Sequence, residues 1–185
     1  MHYRRITSVD LPAVLALQEA NLFINLTEQQ REEGFLSAAF TQDQFRKMAD
    51  EVAVLVADDA GKVCAYLCAG SVSFHSQSPL LAAMITALDG VHFLGRPLAS
   101  QRMFIYGPVC IERSHRRRGI LRGLYDELLR LLAGEYEVGV GLVAKDNPRS
   151  LAAHTEGLGM SVAGDFAFTG KRYWIVAFLI QPLQS

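Results

Sequence analysis

Val109-Cys110-Ile111-Glu112-Arg113-Ser114-His115-Arg116-Arg117-Arg118-Gly119-Ile120-Leu121 is the stretch on which the reading of this 185-residue chain turns. An apolar, β-favouring run ends, a basic turn follows, and a glycine opens a segment striped with leucine. The first N–H groups of a helix have no intrahelical acceptor and sit at the positive end of its dipole, which makes such a turn a phosphate site. The three consecutive arginines add attraction and fork-shaped donors. This chemistry suits an anion, and in particular the pyrophosphate of a cofactor. An arginine run this short also reads as a solvated surface turn.

Several phosphate and nucleic-acid readings are excluded. No lysine–hydroxyl pair follows Gly119, so the stretch is not G-x-x-x-x-G-K-[ST], and the spacing is not G-x-G-x-x-G. The net charge is −1, without the broad basic face that nucleic acid requires. No run of about 18 apolar residues exists to span a membrane, and no apolar signal core follows the amino-terminal residues. Half the residues are apolar and a fifth charged, which suits one α/β domain over residues 1–185. Three cysteines, with Cys64 and Cys68 on one face of an expected strand, read as packed thiols rather than a metal site or a disulfide framework. A cytoplasmic location fits that reading.

Working outward, residues 119–133 set Leu121, Leu124, Leu128, Leu131 and Leu132 against Arg122, Asp126, Glu127 and Arg130, a one-faced helix. Residues 102–111 read as a strand interrupted at Gly107-Pro108. Proline has no N–H for a ladder, so the pair marks a bulge or a splay. Residues 52–57 and 62–69 flank Asp58-Asp59-Ala60-Gly61 as a hairpin. Residues 2–7 form a first strand, and Asp10 is expected to cap the helix that follows. Further helices are expected over 41–50 and 78–88, then an irregular connection through Gly90, Gly95 and Pro97. Strands at 137–144, 160–168 and 172–180 complete the pattern.

A second signature lies downstream. Asn147-Pro148-Arg149-Ser150 reads as a helix start in which the asparagine accepts from the Ser150 N–H, and the helix ends at Leu158-Gly159-Met160. With Arg116-Arg117-Arg118-Gly119-Ile120-Leu121 set against Q/R-x-x-G-x-G/A, the chain resembles the GNAT superfamily of N-acetyltransferases over residues 105–160. Leu121 departs from the small residue usual at the sixth position, and Gly123 is expected to relieve crowding there. The resemblance implies an α/β fold with a mixed, mostly antiparallel sheet of about seven strands, helices on both faces and a splayed cofactor cleft. It also implies acetyl-CoA as co-substrate and direct attack by a primary amine, on a small molecule or a peptide, in a ternary complex. No metal is implied, and because family members often pair, a homodimer is left open.

Residue roles follow from that resemblance. The N–H groups of Val109, Cys110 and Ile111 are candidate oxyanion donors. Those of Arg117, Arg118, Gly119, Ile120 and Leu121 are candidates for the pyrophosphate, with Arg116 and Arg122 as side-chain helpers. Asn147 caps its helix and is a candidate cofactor contact. His154 stands seven residues past Asn147, where the family often has a tyrosine, and is the candidate acid for the leaving thiolate; the alternative is a histidine that only packs. No base stands out: Glu112 is a candidate acting through water but reads more ordinarily as a solvated carboxylate, and Glu28, Glu32 and Glu33, in the region where the family builds its acceptor pocket, read equally as a polar helix face. Cys110 has no activating neighbour in sequence. A non-catalytic acyl-CoA-binding sensor is the alternative function.

Overall fold

The computed structural model describes residues 1–180. A seven-stranded sheet runs in the order β1 (His2–Arg5), β2 (Ala53–Asp59), β3 (Lys62–Gly70), β6 (Met103–Ile111), β7 (Val138–Ala144), β9 (Lys171–Leu179) and β8 (Ser161–Phe168). The pairs β1–β2, β2–β3, β7–β9 and β8–β9 are antiparallel, and β6–β7 is parallel. A two-stranded hairpin, β4 (His92–Phe93) and β5 (Arg96–Pro97), stands apart from it. The helices are α1 (Leu11–Glu19), α2 (Glu28–Arg31), α3 (Gln42–Glu51), α4 (Val72–His75), α5 (Pro79–Ala87), α6 (Ile120–Leu132) and α7 (Pro148–Thr155). The mixed, mostly antiparallel seven-stranded sheet expected from the sequence is therefore present. Among the described residues, no helix is long and apolar enough to cross a membrane.

The described residues divide into two compact units, residues 1–69 with 107–131, and residues 70–106 with 132–180. In the first, every residue of β2 from Ala53 to Ala57 is buried, as are Cys64 to Ala69 of β3. Successive strand residues point to opposite faces, so both faces of these strands are covered. On one face α6 approaches β1 so closely that a Cβ on Gly123 would run into the Tyr3 ring. That approach, rather than relief of crowding at the phosphate turn, is what the glycine serves. On the other face Phe45 of α3 packs edge-on against Tyr66, with ring centroids 5.5 Å apart. The β2–β3 turn places Ala60 and Gly61 at φ 52° and 86°, as a two-residue hairpin demands.

Asp10 does not cap α1 as expected. Its side chain makes no bond to that helix and sits in a short 3-10 turn, Ser8–Asp10. Instead the carboxylate accepts from the Arg4 guanidinium at 2.7 and 2.9 Å and from the N–H and hydroxyl of Thr7 at 2.8 and 2.7 Å. The guanidinium holds the Asp10 carboxyl down at about 2. A tertiary partner on β1 has outcompeted a local cap.

In the second unit β7 pairs with β9 from Val138↔Leu179 to Ala144↔Tyr173. The β6–β7 ladder covers only Met103↔Val138, Phe104↔Gly139 and Ile105↔Val140. It stops just before Gly107-Pro108, a cis peptide with Gly107 at φ 102°, where the sequence placed a bulge or splay. Gly139 exists for close packing: a Cβ there would strike the Phe178 ring. That ring is in turn held edge-on by Phe104 and Tyr106, at centroid distances of 6.0 and 5.4 Å. Gly139→Ala is therefore expected to lower unfolding free energy by about 1–3 kcal/mol, the usual cost of overpacking, although alanine is the better strand residue. Equilibrium urea denaturation measures it, and unchanged stability would mean that Phe178 is free to move.

Candidate functional site

Strand β6 ends at Ile111, and a 3-10 turn, Arg113–His115, carries the chain toward α6. Arg117 then takes φ 63° and Gly119 φ 77° before the helix starts at Ile120. Arginine in the left-handed region is uncommon, and such conformations cost on the order of 1 kcal/mol or more. Among the described residues, nothing accepts a hydrogen bond from the backbone N–H groups of Arg117, Arg118, Gly119, Ile120 and Leu121. Arg117, Arg118 and Gly119 are exposed, and a Cβ on Gly119 would meet nothing within 4 Å. Acceptor-free N–H groups and a helix dipole thus meet at a turn exposed from Arg117 to Gly119, and Ile120 behind it is buried; such donors suit a diphosphate.

The side chains around this turn divide sharply. Arg117 and Arg118 make no ion pair among the described residues. Arg122 pairs with Asp126 at 3.6 Å and lies over the Tyr125 ring at 5.6 Å. Arg116, expected as a phosphate helper, directs its guanidinium inward. Its Nε donates to the Ile111 carbonyl at 3.2 Å, Nη1 to the Glu33 carbonyl at 3.0 Å and Nη2 to Asn21 Oδ1 at 2.8 Å.

On the strand before the turn, the side chain of Cys110 is buried and its Sγ donates to the Leu17 carbonyl at 3.7 Å. Burial pushes this thiol up to about 12, so it is not a thiolate at neutral pH. Val109 and Ile111 alternate with it and are half-buried. Glu112 is paired with Lys62 at 3.2 Å, which holds its carboxyl below the usual range and makes it a poor base.

The second unit contains the other sequence-picked residues. Asn147 is buried and accepts from the Ser150 N–H at 3.1 Å, starting α7 as expected. His154, on the last turn of α7, is buried. Its Nδ1 lies 2.7 Å from the Ser150 carbonyl, an acceptor only, so Nδ1 carries the hydrogen. Nε2 is then the acceptor, 3.1 Å from the Tyr106 hydroxyl, which donates to it. Burial lowers the His154 pKa and keeps the ring neutral. Sequence pattern alone assigns Tyr106 no role; its only signal is its place next to the Gly107-Pro108 interruption.

No protein-family model and no curated protein matches the chain. Solved structures do. The chain is similar to a GNAT-family acetyltransferase of Streptococcus pneumoniae, with TM-score 0.63 and 14% identity over 97% of this chain and 99% of that one. It is also similar to the ribosomal-protein-S18-alanine N-acetyltransferase of Escherichia coli, with TM-score 0.62 and 14% identity over 100% and 96%. The yncA protein of Salmonella typhimurium, solved with its cofactor acetyl-CoA, matches with TM-score 0.61 and 16% identity over 100% and 96%. The fold of this chain is the GNAT acetyltransferase fold.

A buried neutral histidine has a consequence in pH. The folded pKa of His154 lies below its unfolded value near about 6.5. The unfolded chain therefore binds this proton first as pH falls, and the stability contributed above pH 6.5 is lost toward the folded pKa. The slope from one such group is at most about 1.4 kcal/mol per pH unit. Denaturation curves at pH 7 and pH 5 should show a smaller loss in His154→Gln than in the parent chain. Equal losses would mean that His154 is not held neutral.

Proposed function

We propose that this chain is an acetyl-CoA-dependent N-acetyltransferase that works as one transferase domain, with a primary amine on a small molecule or peptide attacking directly in a ternary complex. The observation that carries the reading is the set of five acceptor-free N–H groups at the start of α6, directly after β6. The GNAT fold and a neighbour solved with acetyl-CoA support it. Three free, buried cysteines suit a reducing compartment such as the cytoplasm.

Acetyl-CoA, when bound, supplies the activated acyl group as a thioester. The backbone of Arg117, Arg118, Gly119, Ile120 and Leu121 holds the diphosphate, with the exposed Arg117 and Arg118 adding charge. The N–H groups of Val109, Cys110 and Ile111 are the candidate donors to the developing oxyanion. Cys110 remains a protonated thiol, which favours direct attack over an acyl-enzyme. His154 commits its own N–H to Ser150, so the transferable proton of the Tyr106–His154 pair sits on the phenol. We assign the acid function to Tyr106, whose O–H turns from His154 Nε2 to the leaving sulfur as it gives up its proton, with His154 positioning the phenol beforehand. A non-catalytic acyl-CoA sensor is the second reading. It is favoured by Leu121 at the position usually small and by the engagement of both His154 nitrogens.

Acetyl-CoA at about 100 times its Kd should stabilise the protein by roughly 2.7 kcal/mol, visible as a raised Tm. Gly119→Asp should abolish that rise by setting a carboxylate against the diphosphate. Gly119→Asn, which tolerates positive φ without charge, should largely keep it. Loss of the rise in neither variant would put the phosphate site elsewhere. CoA release across polyamines, amino acids, aminoglycosides and peptide N-termini separates enzyme from sensor: tight binding with no release on any amine supports the sensor. Where an amine reacts, Tyr106→Phe should slow turnover by about 10²-fold or more, the range of general acid catalysis, while leaving the Tm rise intact. Unchanged turnover would remove the pair from the chemistry.

A further inference from the structure

Arg116 occupies the first position of the anion-binding motif, yet its guanidinium is spent within the first unit. The three donors used reach three different pieces of chain: the end of β6 at Ile111, the carbonyl of Glu33, and the side chain of Asn21. The Glu33 carboxylate lies 3.7 Å from Nη1 and adds attraction. Asn21 and Glu33 belong to one excursion, residues 21–36, between α1 and α3. Its neck is closed where Leu36 N–H donates to the Asn21 carbonyl at 2.9 Å and Phe23 N–H donates to the Leu36 carbonyl at 3.0 Å. Leu22 and Leu36 bridge there and are buried. Asn21 is itself buried, with Nδ2 donating to the Leu17 carbonyl at 2.8 Å. The Arg116 fork is thus the partner of a buried amide oxygen at the base of the excursion.

We infer that Arg116 is a positioning residue that pins residues 21–36 to the base of the anion loop, and is not a ligand of the diphosphate. On the transferase reading, Ile111 belongs to the strand end assigned to the thioester, so the same guanidinium holds residues 21–36 beside that strand end, where an amine acceptor would meet the acyl group. Only a planar fork reaches all three acceptors at once. A lysine at this position keeps the charge but loses that geometry.

Hydrogen exchange followed by mass spectrometry on the full chain tests this, with Arg116→Lys, Arg116→Gln and Asn21→Ala beside the parent. In the ligand-free protein, amides in residues 22–36 should exchange about tenfold faster or more in all three variants, since hydrogen bonds to a charged group are worth at least that factor. The Kd for CoA, measured by calorimetry, should stay within about threefold of the parent. If an amine substrate is in hand, its KM rises in Arg116→Lys and that of acetyl-CoA does not. Unchanged exchange over 22–36 in Arg116→Gln overturns the inference. So does a tenfold loss of CoA affinity in Arg116→Gln that Arg116→Lys restores, which would make Arg116 a phosphate contact. Should the parent not bind CoA at all, the transferase reading fails, while the ligand-free exchange rates still decide whether Arg116 pins the excursion. Asn21→Ala leaves the loop itself untouched, so a general folding defect in the Arg116 variants is recognised by its absence there.

Discussion

A backbone N–H without an acceptor is tolerated only in water or against a ligand, because burying one unpaired costs about 1–3 kcal/mol. Five of them follow one another from Arg117 to Leu121, and the turn that carries the first three, Arg117 to Gly119, is exposed. That constraint shapes the surroundings. The backbone turns left-handed at Arg117 and again at Gly119, so the chain leaves the direction of β6 before α6 begins. Water can occupy these donors cheaply, and a diphosphate can replace it with charge-assisted bonds aligned with the helix dipole.

The loop needs a fixed base to keep this arrangement. Below it, α6 sinks Ile120, Leu124, Leu128 and Leu132 into the core and presses Gly123 against Tyr3. Arg116 ties the loop's first residue to Ile111, Glu33 and Asn21. Arg117 and Arg118, which make no ion pair among the described residues, are beside the acceptor-free N–H groups.

Much of this was legible in the chain because it depends on local chemistry. The hairpin at Ala60-Gly61, the leucine face of α6 and the Asn147 cap each rest on residues within a few positions of one another, and each formed as expected. Where the sequence misled, a partner outside the local pattern had intervened. Asp10 looked like a cap, but Arg4 claimed its carboxylate. Gly123 looked like part of the phosphate turn, but the β1 tyrosine fills the space beside it. Arg116 was expected as a side-chain helper of the phosphate, since nothing in the run reveals that Asn21 and Glu33 return to meet it. Tyr106 gave no sign of reaching His154, because a strand residue and a helix residue 48 positions apart share no sequence pattern. The short α4 and the β4–β5 hairpin lacked the length to show periodicity.

The most direct measurement of the central claim is an amide-resolved NMR titration comparing CoA with pantetheine, which has the same thiol arm but no diphosphate. The account predicts that the N–H resonances of Arg118, Gly119, Ile120 and Leu121 move markedly with CoA and stay nearly still with pantetheine. Resonances that ignore CoA, or that respond equally to both compounds, would contradict it.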